Sequence, residues 1–556
     1  SVEVRRHAVF RRNYSAGQLE KTVARRGIAG PRRFLVACVC ADTGSGVRLC
    51  SVAYLPRLWS CHYCGAGVVS QGCYSAVNEP PGCVSTPCRR ILVPHHPVLF
   101  VPAELFIWEP YRRVITEVVA FYPFVLLSVA CAAKLVQAGL NLERYGDLAK
   151  EHIPLIGSYV IYSFSEKLAK SFIARFIGSF WLFSSTGLQL LVAILCSAVI
   201  PSKWLLLAIP SILFTLTSNV HLPLGMTTSG LRSALNEEGF ALVDRQESST
   251  GYISVLDSLE DGFRVMRCDH SLLGGQWTKT YRNYKPKVQD PIYAVFSLLE
   301  AVRLAETDHG AHRVDADSKA LVIGLGVGTT PAALITHGIE TTIVEIDPVV
   351  HKFASKYFHL PSNHIAAIED ATLFVERALK SPKPTQYDYI VHDVFTGGAE
   401  PIELFSIEFL EGLNSLLKQD GIIAMNYAGD LSLYPAALTV RTIQAVFPSC
   451  RFFREDSGEE GNADFTNMVV FCKKDSATPL RFRDAVPADF LDSKFRETYL
   501  VPKHEIDPAI FTTVTGGQPV LRAKDTGRLY RWQDQGALEH WGIMRKVLPD
   551  AVWENW

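Results

Sequence analysis

The segment Leu321-Val-Ile-Gly-Leu-Gly-Val-Gly-Thr329, followed by Thr342-Ile-Val-Glu-Ile-Asp347, constrains the fold more than any other part of the chain. It reads as an apolar strand, a glycine turn, a helix start and a second apolar strand ending in an acid. Gly324, Gly326 and Gly328 let the backbone turn tightly and approach a ligand closely. Glu345 follows the first glycine by about 20 residues, the spacing at which an acid accepts hydrogen bonds from ribose hydroxyls. The natural occupant is a cofactor containing a nucleoside.

The segments that follow repeat this alternation. Ile365-Ala-Ala-Ile368 is a short apolar run ending at Glu369, Asp370 and Ala371. Tyr387-Asp-Tyr-Ile-Val-His-Asp393 ends in an acid before Thr396-Gly-Gly398, and Gly421-Ile-Ile-Ala-Met425 ends at Asn426 and Tyr427. Helical stretches such as Phe405 to Leu417 separate the runs. Strands alternating with helices predict a parallel sheet covered on both faces. Ligands of such sheets bind beyond the carboxyl ends of the strands, where these polar residues fall.

A chain of 556 residues implies two or more domains, and a net charge of −1 gives no global reason to expect nucleic-acid binding. The hydrophobic fraction, 48%, is high, and the excess is local. Residues 178–200 and 204–220 are nearly uncharged runs around a Pro201-Ser-Lys203 turn, and 114–140 is a weaker third run. Their lengths predict transmembrane helices within 114–220, with a buried helical core as the alternative. The expectation is a multi-pass membrane protein with its catalytic domain facing the cytosol. Arg144, Lys150, Lys167, Lys170 and Arg175 agree with that orientation, whereas Arg112 and Arg113 oppose it.

Residues 1–95 are basic and hold eight of the 13 cysteines, including Cys61-His-Tyr-Cys64. No second CxxC completes a zinc pattern, so no metal site is assigned. A targeting segment and a disordered segment both fit this composition, and without an initiator methionine the chain reads as a fragment or as one with a misassigned start. Cys131, Cys196, Cys268, Cys450 and Cys472 lie in apolar contexts and read as buried small hydrophobes of a reducing compartment.

Before the parallel sheet, Gly251–Leu256 and Gly262–Arg267 alternate large and polar residues around Glu260-Asp-Gly262, a hairpin signal. Asp269 to Trp277 reads as a loop near a ligand, and Ile292 to Leu304 as an apolar helix. The expected layout is a small β-domain at 240–285, a Rossmann-like domain at 286–475 and an extension at 476–556.

The hairpin, the glycine turn, Val344-Glu-Ile-Asp347, Glu369-Asp-Ala371 and Tyr387–Asp393 together resemble the spermidine synthase family over roughly residues 240–475. The resemblance implies a class I methyltransferase fold preceded by a small β-domain. That family transfers an aminopropyl group from decarboxylated S-adenosylmethionine to putrescine, and relatives with the same fold transfer methyl groups. Carried over by position, Gly324, Gly326 and Gly328 pass beside the thioether and sugar, and Glu345 holds the ribose. Asp370 and Ala371 meet the adenine, Gln276 touches the cofactor, and Asp393 faces the reacting amine.

Three departures from the family decide the expected chemistry. Val327 stands where the family's Gly-Gly-Gly-Asp-Gly motif has its acid, and Thr396 stands at the second acid of Asp-Ser-Ser-Asp-Pro. The family's Tyr-His-Glu is reduced to Tyr293-Ala-Val295. Polycationic substrates need such acids, because a poorly solvated cation must be paired. Each charge-assisted hydrogen bond lost forfeits about 1.5–3 kcal/mol. S-adenosylmethionine carries a carboxylate that an acid at 327 would repel. The sequence therefore predicts an S-adenosylmethionine-dependent methyltransferase acting on a small-molecule amine or a protein, with a homodimer compatible with it. Asp393, with Tyr427 or Asn426 nearby, would orient the amine and accept its proton.

Other readings stay open. One is an aminopropyltransferase using decarboxylated S-adenosylmethionine and recruiting Glu400, Glu403 or Asp430. The other is a non-catalytic nucleoside-binding membrane protein. Asp347 and Asp370 also fit helix caps, His392 a core position, and Asp430 a loop turn. Trp532, His540, Trp541, Trp553 and Trp556 read as anchors packing a tail onto the domain.

Overall fold

The computed structural model describes residues 41–42, 48–49, 142–178, 180–199, 206, 209, 213, 222–279, 284–306, 313–395, 401–455, 465–474, 479–512 and 520–554. They fall into two units. One takes in Pro31–Ala234 and Gln246–Gly251, the other Leu235–Arg245 and Tyr252–Trp553.

The first unit contains helix α1 (Asp147–Phe176) and helix α2 (Ser185–Val199). Among the described residues no helix is long and apolar enough to cross a membrane. This corrects the expected membrane anchor and the multi-pass placement with a cytosol-facing domain. The physical reason lies in the 178–200 run, which is apolar but not one helix. Among the described residues it is broken by a short 3-10 turn at Trp181–Phe183 before α2 begins at Ser185. Helix α1 is long enough but carries Asp147, Lys150, Glu151, Glu166, Lys167, Lys170 and Arg175. The proposed span 114–140 lies outside the described residues, as does nearly all of 204–220.

The second unit begins with a four-stranded sheet in the order β1 (Phe240–Glu247), β2 (Tyr252–Ser258), β3 (Phe263–Cys268) and β4 (Ser271–Trp277). The anticipated hairpin is β2–β3, antiparallel with Val255 opposite Met266. The segment expected to be a loop, Asp269 to Trp277, is mostly strand β4. Gly274 and Gly275 there let bulky neighbours pack against the strand, with Val327 Cγ2 2.9 Å from where a Cβ of Gly274 would lie. Loop-like composition thus reflects close packing rather than exposure.

The main sheet is built from β5 (Lys319–Ile323), β6 (Glu340–Glu345), β7 (Ile365–Ile368), β8 (Tyr387–His392), β9 (Leu417–Asp430), β10 (Ser449–Arg454), β11 (Phe465–Lys473) and β12 (His504–Glu505). Their spatial order is β12-β10-β11-β9-β8-β5-β6-β7. Strands β5 to β9 run parallel, and β11 returns antiparallel beside β9. The chain moves outward from β5 to β7 and then crosses back to β8. That reversal makes the β5/β8 boundary the topological switch point, where α/β sheets bind ligands.

Both faces of this sheet are covered, so its strands are apolar on both sides. Leu321, Ile323, Ile390, Ile423 and Met425 face one core, while Ala320, Val322, Tyr389, Val391, Ile422 and Ala424 face the other. Helices α3 (Gly225–Glu237) and α4 (Ala294–Leu299) precede the main sheet in the chain. Within it, α5 (Thr329–Thr336), α6 (Pro348–Tyr357), α7 (Ala371–Leu379), α8 (Ile407–Leu416) and α9 (Tyr434–Val446) follow successive strands. The fold is Rossmann-like α/β of the class I methyltransferase type.

Cys450 and Cys472 correct the reading of the cysteines. They lie directly opposite each other on β10 and β11 and form a disulfide with a Cα–Cα distance of 4.1 Å. Their register across the hairpin, invisible in the spacing alone, creates the pair. Cys268 is free and buried, as expected; Cys131 lies outside the described residues.

A buried ion pair ties the following helix, α10 (Lys494–Tyr499), to the core. Arg496 is fully buried and donates from Nε and Nη2 to both oxygens of Glu300 at 2.8 and 2.9 Å. Removing one partner strands the other charge in the interior. Arg496→Ala should therefore destabilise the protein by about 3–5 kcal/mol, measured by urea unfolding, with near-normal stability contradicting this account.

Candidate active site

The site is built where β5 and β8 end side by side. After β5 the backbone turns through Gly324, whose N–H donates to the Val344 carbonyl at 2.9 Å. Gly324 has φ +86°, and a Cβ there would lie 2.0 Å from the Asp393 carbonyl oxygen. The glycine turn and the Asp393 strand end therefore touch backbone to backbone, which only glycine permits. Gly326 is pressed as closely against β4, a Cβ there meeting the Leu273 carbonyl oxygen at 2.4 Å. Gly328, also left-handed, opens α5.

Glu345 ends β6 and is buried. Its carboxylate is fixed by the backbone of the turn it faces. The Leu325 N–H donates to Oε2 at 3.0 Å, and the Asp347 N–H donates to Oε1 at 2.9 Å. Burial pushes this carboxyl up to about 7. The neighbouring Asp347 charge adds to the rise, and the N–H donors offset part of it. A buried, preoriented carboxylate with lone pairs still available suits the two hydroxyls of a ribose. Asp347 itself caps α6, accepting from Val349 N at 2.7 Å and Val350 N at 3.2 Å.

Asp393 follows β8 and is half-buried. Asn426 of β9 donates from Nδ2 to its Oδ1 at 2.9 Å. Burial pushes the Asp393 carboxyl up to about 6, and the Asn426 hydrogen bond offsets part of that rise. The preceding His392 is buried against the rings of Phe405 and Phe409, and burial pulls its imidazole down to about 4. It supplies no positive charge beside Asp393 near neutral pH.

The remaining anticipated residues divide. Gln276, buried on β4, donates from Nε2 to the Tyr357 carbonyl at 3.5 Å and meets His359 Nδ1 at 3.2 Å. Asp370 caps α7, its Oδ1 accepting from Thr372 N at 2.7 Å and Oγ1 at 2.5 Å. Ala371 is the buried first residue of that helix. Tyr427 is buried with its ring 5.8 Å from that of Phe405. Thr396 and Glu400 lie outside the described residues.

Comparison with known proteins gives this geometry a family. The spermine/spermidine synthase domain matches residues 307–452. An N-terminal histidine N-methyltransferase of Emericella nidulans is 65% identical over 456 residues, covering 81% of this chain and 82% of that protein. The chain belongs to the family of that methyltransferase. It is an S-adenosylmethionine-dependent methyltransferase. A polyamine aminopropyltransferase of Vibrio vulnificus is 38% identical over 158 residues, 27% of this chain and half of that one. A probable spermidine synthase structure from Corynebacterium glutamicum aligns with a TM-score of 0.38 at 16% identity, over 51% of this chain and 95% of that one.

For this methyltransferase the aminopropyl alternative is not needed. Val327 is buried in an apolar cluster with Ile253, Val255, Met266 and Leu325. An aspartate there would be an unpaired charge in a hydrophobic core. The extension after the main sheet adds helices α11 (Ala509–Thr512), α12 (Tyr530–Met544) and α13 (Asp550–Glu554). Of its anticipated anchors, Trp541 packs on Trp553 and on His270 and His540 packs on Phe395, while Trp556 lies outside the described residues. Sequence reading missed that α12 also lines a cleft with Tyr427 to Asp430. The only signal was the mixture of acids with aromatics between 532 and 541.

The buried Glu345 carboxylate yields a direct test. Glu345→Ala should abolish S-adenosylmethionine binding in calorimetry. In the native protein, affinity should weaken as pH falls through about 7, because protonation removes the charged acceptor. Unchanged binding by the variant would dismiss the ribose assignment.

Proposed function

We propose that this methyltransferase acts on a nitrogen of a protein's N-terminal histidine, the acceptor class carried in the name of its Emericella nidulans relative. The observation that carries the reading is Asp393: a half-buried carboxylate, raised to about 6 and held by Asn426, at the switch point of a methyltransferase fold. Gly324, Gly326 and Gly328 would admit the cofactor's sugar and thioether, with Glu345 on the ribose, Asp370 and Ala371 at the adenine and Gln276 at the cofactor's edge.

When bound, S-adenosylmethionine supplies a methyl group already activated by its sulfonium. The acceptor nitrogen forms the new N–C bond as the S–C bond breaks, and that bond's electron pair stays on sulfur. The protein's contribution is to align a neutral nitrogen and to manage its proton. Asp393, fixed by Asn426, orients the nitrogen and takes the proton as positive charge develops. Tyr427, on the strand that bears Asn426, closes the acceptor side.

A synthetic peptide beginning with histidine should gain 14 mass units, localised to the first residue by tandem mass spectrometry. Above its pKa the Asp393 carboxylate is ionised and able to accept a proton, so kcat/KM should rise with pH through about 6. Asp393→Asn should lower kcat about 100-fold or more and remove that component of the profile. The same peptide serves both enzymes, so its own titration cancels. A peptide left unmodified by the native protein would refute the acceptor.

A further inference from the structure

The cleft beside Tyr427 is walled by two elements far apart in sequence. One wall is the end of β9 and the turn after it, with Tyr427, Gly429 and Asp430. The other is α12, with Trp532, Gln533 and Glu539. Ile402 and Phe405 complete an apolar floor. Helix α12 lies beyond the region that matches the synthase domain, so this wall is not part of that domain.

The chemistry of the cleft is specific. Two carboxylates stand among aromatic rings, and neither forms an ion pair among the described residues. Asp430 Oδ1 accepts only local donors, Ser432 N at 2.8 Å and Oγ at 2.6 Å. Glu539 Oε1 accepts from Gln535 Nε2 at 3.0 Å, one helical turn away. Acids against aromatic faces suit an organic cation, which gains both charge pairing and ring contact. Helix α12, which forms one wall of the cleft, also packs His540 on Phe395, two residues beyond Asp393. A cation seated here lies at the same edge of the sheet as Asp393.

We infer that this cleft is the acceptor subsite, with Glu539 and Asp430 receiving the free α-ammonium of the incoming polypeptide and Trp532 and Tyr427 flanking its first side chain. The assignment rests on the reading of the acceptor given above. It makes a free N-terminus, rather than a histidine inside a chain, the feature that is recognised. Glu539 and Asp430 are binding residues here and take no part in bond making.

The test uses the full chain with S-adenosylhomocysteine present and measures peptide binding by calorimetry. The probes are a peptide beginning with histidine and the same peptide N-acetylated. Glu539→Gln should weaken binding of the free peptide about 10-fold, roughly 1.4 kcal/mol, and Glu539→Lys should weaken it further. Both variants should bind the acetylated peptide as the native protein does, because it has no ammonium to lose. S-adenosylhomocysteine affinity within twofold of native certifies the fold. Equal binding of the free peptide by native and variant proteins, with methylation intact, overturns the cleft assignment alone. Native protein that methylates no histidine-initiated peptide overturns the underlying reading and this assignment with it.

Discussion

The backbone contact between Gly324 and Asp393 is the constraint around which the site is organised. One residue belongs to the glycine turn after β5, the other to the end of β8. Their main chains meet where a single methyl group would intrude to 2.0 Å of a carbonyl oxygen. The Asp393 N–H also donates to the Ile323 carbonyl at 2.9 Å, continuing the β5–β8 ladder to the edge of the site. The glycine turn and the end of β8 are thus registered by main-chain hydrogen bonds, which are stiffer than side-chain contacts. Rigid placement suits a reaction in which the leaving group is already activated and alignment is the main task left to the protein.

Charge selection follows from the same frame. The related synthase fold handles polycations by lining its pocket with acids. Here position 327 carries a valine packed between the glycine turn and β4. Glu345, buried, and Asp393, half-buried, are held by neutral donors rather than by cations. Both are consequently raised rather than lowered in pKa. Carboxyls raised in this way are what acid–base use requires.

Much of this was legible in the sequence, because it is local. The turn at 324–328, the acid at 345 and the cap at 347 are each set by neighbours within a few residues, and the structure places them as the spacing implied. Asp370 shows the limit of local reading, since cap and ligand roles use the same residue and only the cap is made by the protein itself. The illegible parts depend on distant partners. The Cys450–Cys472 bridge required the β10–β11 register, and the cleft beside Tyr427 required α12 to return to β9. The apolar run at 178–200 misled because composition reports hydrophobicity but not helix continuity, which the turn at Trp181–Phe183 breaks.

The buried guanidinium of Arg267 carries a consequence for how the molecule matures. It donates to the Val552 carbonyl at 2.6 Å across 285 residues of chain, and burial lowers it to about 9. During synthesis this partner arrives late, roughly 15–60 s after Arg267 at ordinary elongation rates. Until then the early sheet must keep a hydrated cation on the face that α13 will cover. Closing the β1–β4 sheet over Arg267 therefore waits on α13, and this contact is among the later ones to form as the chain folds.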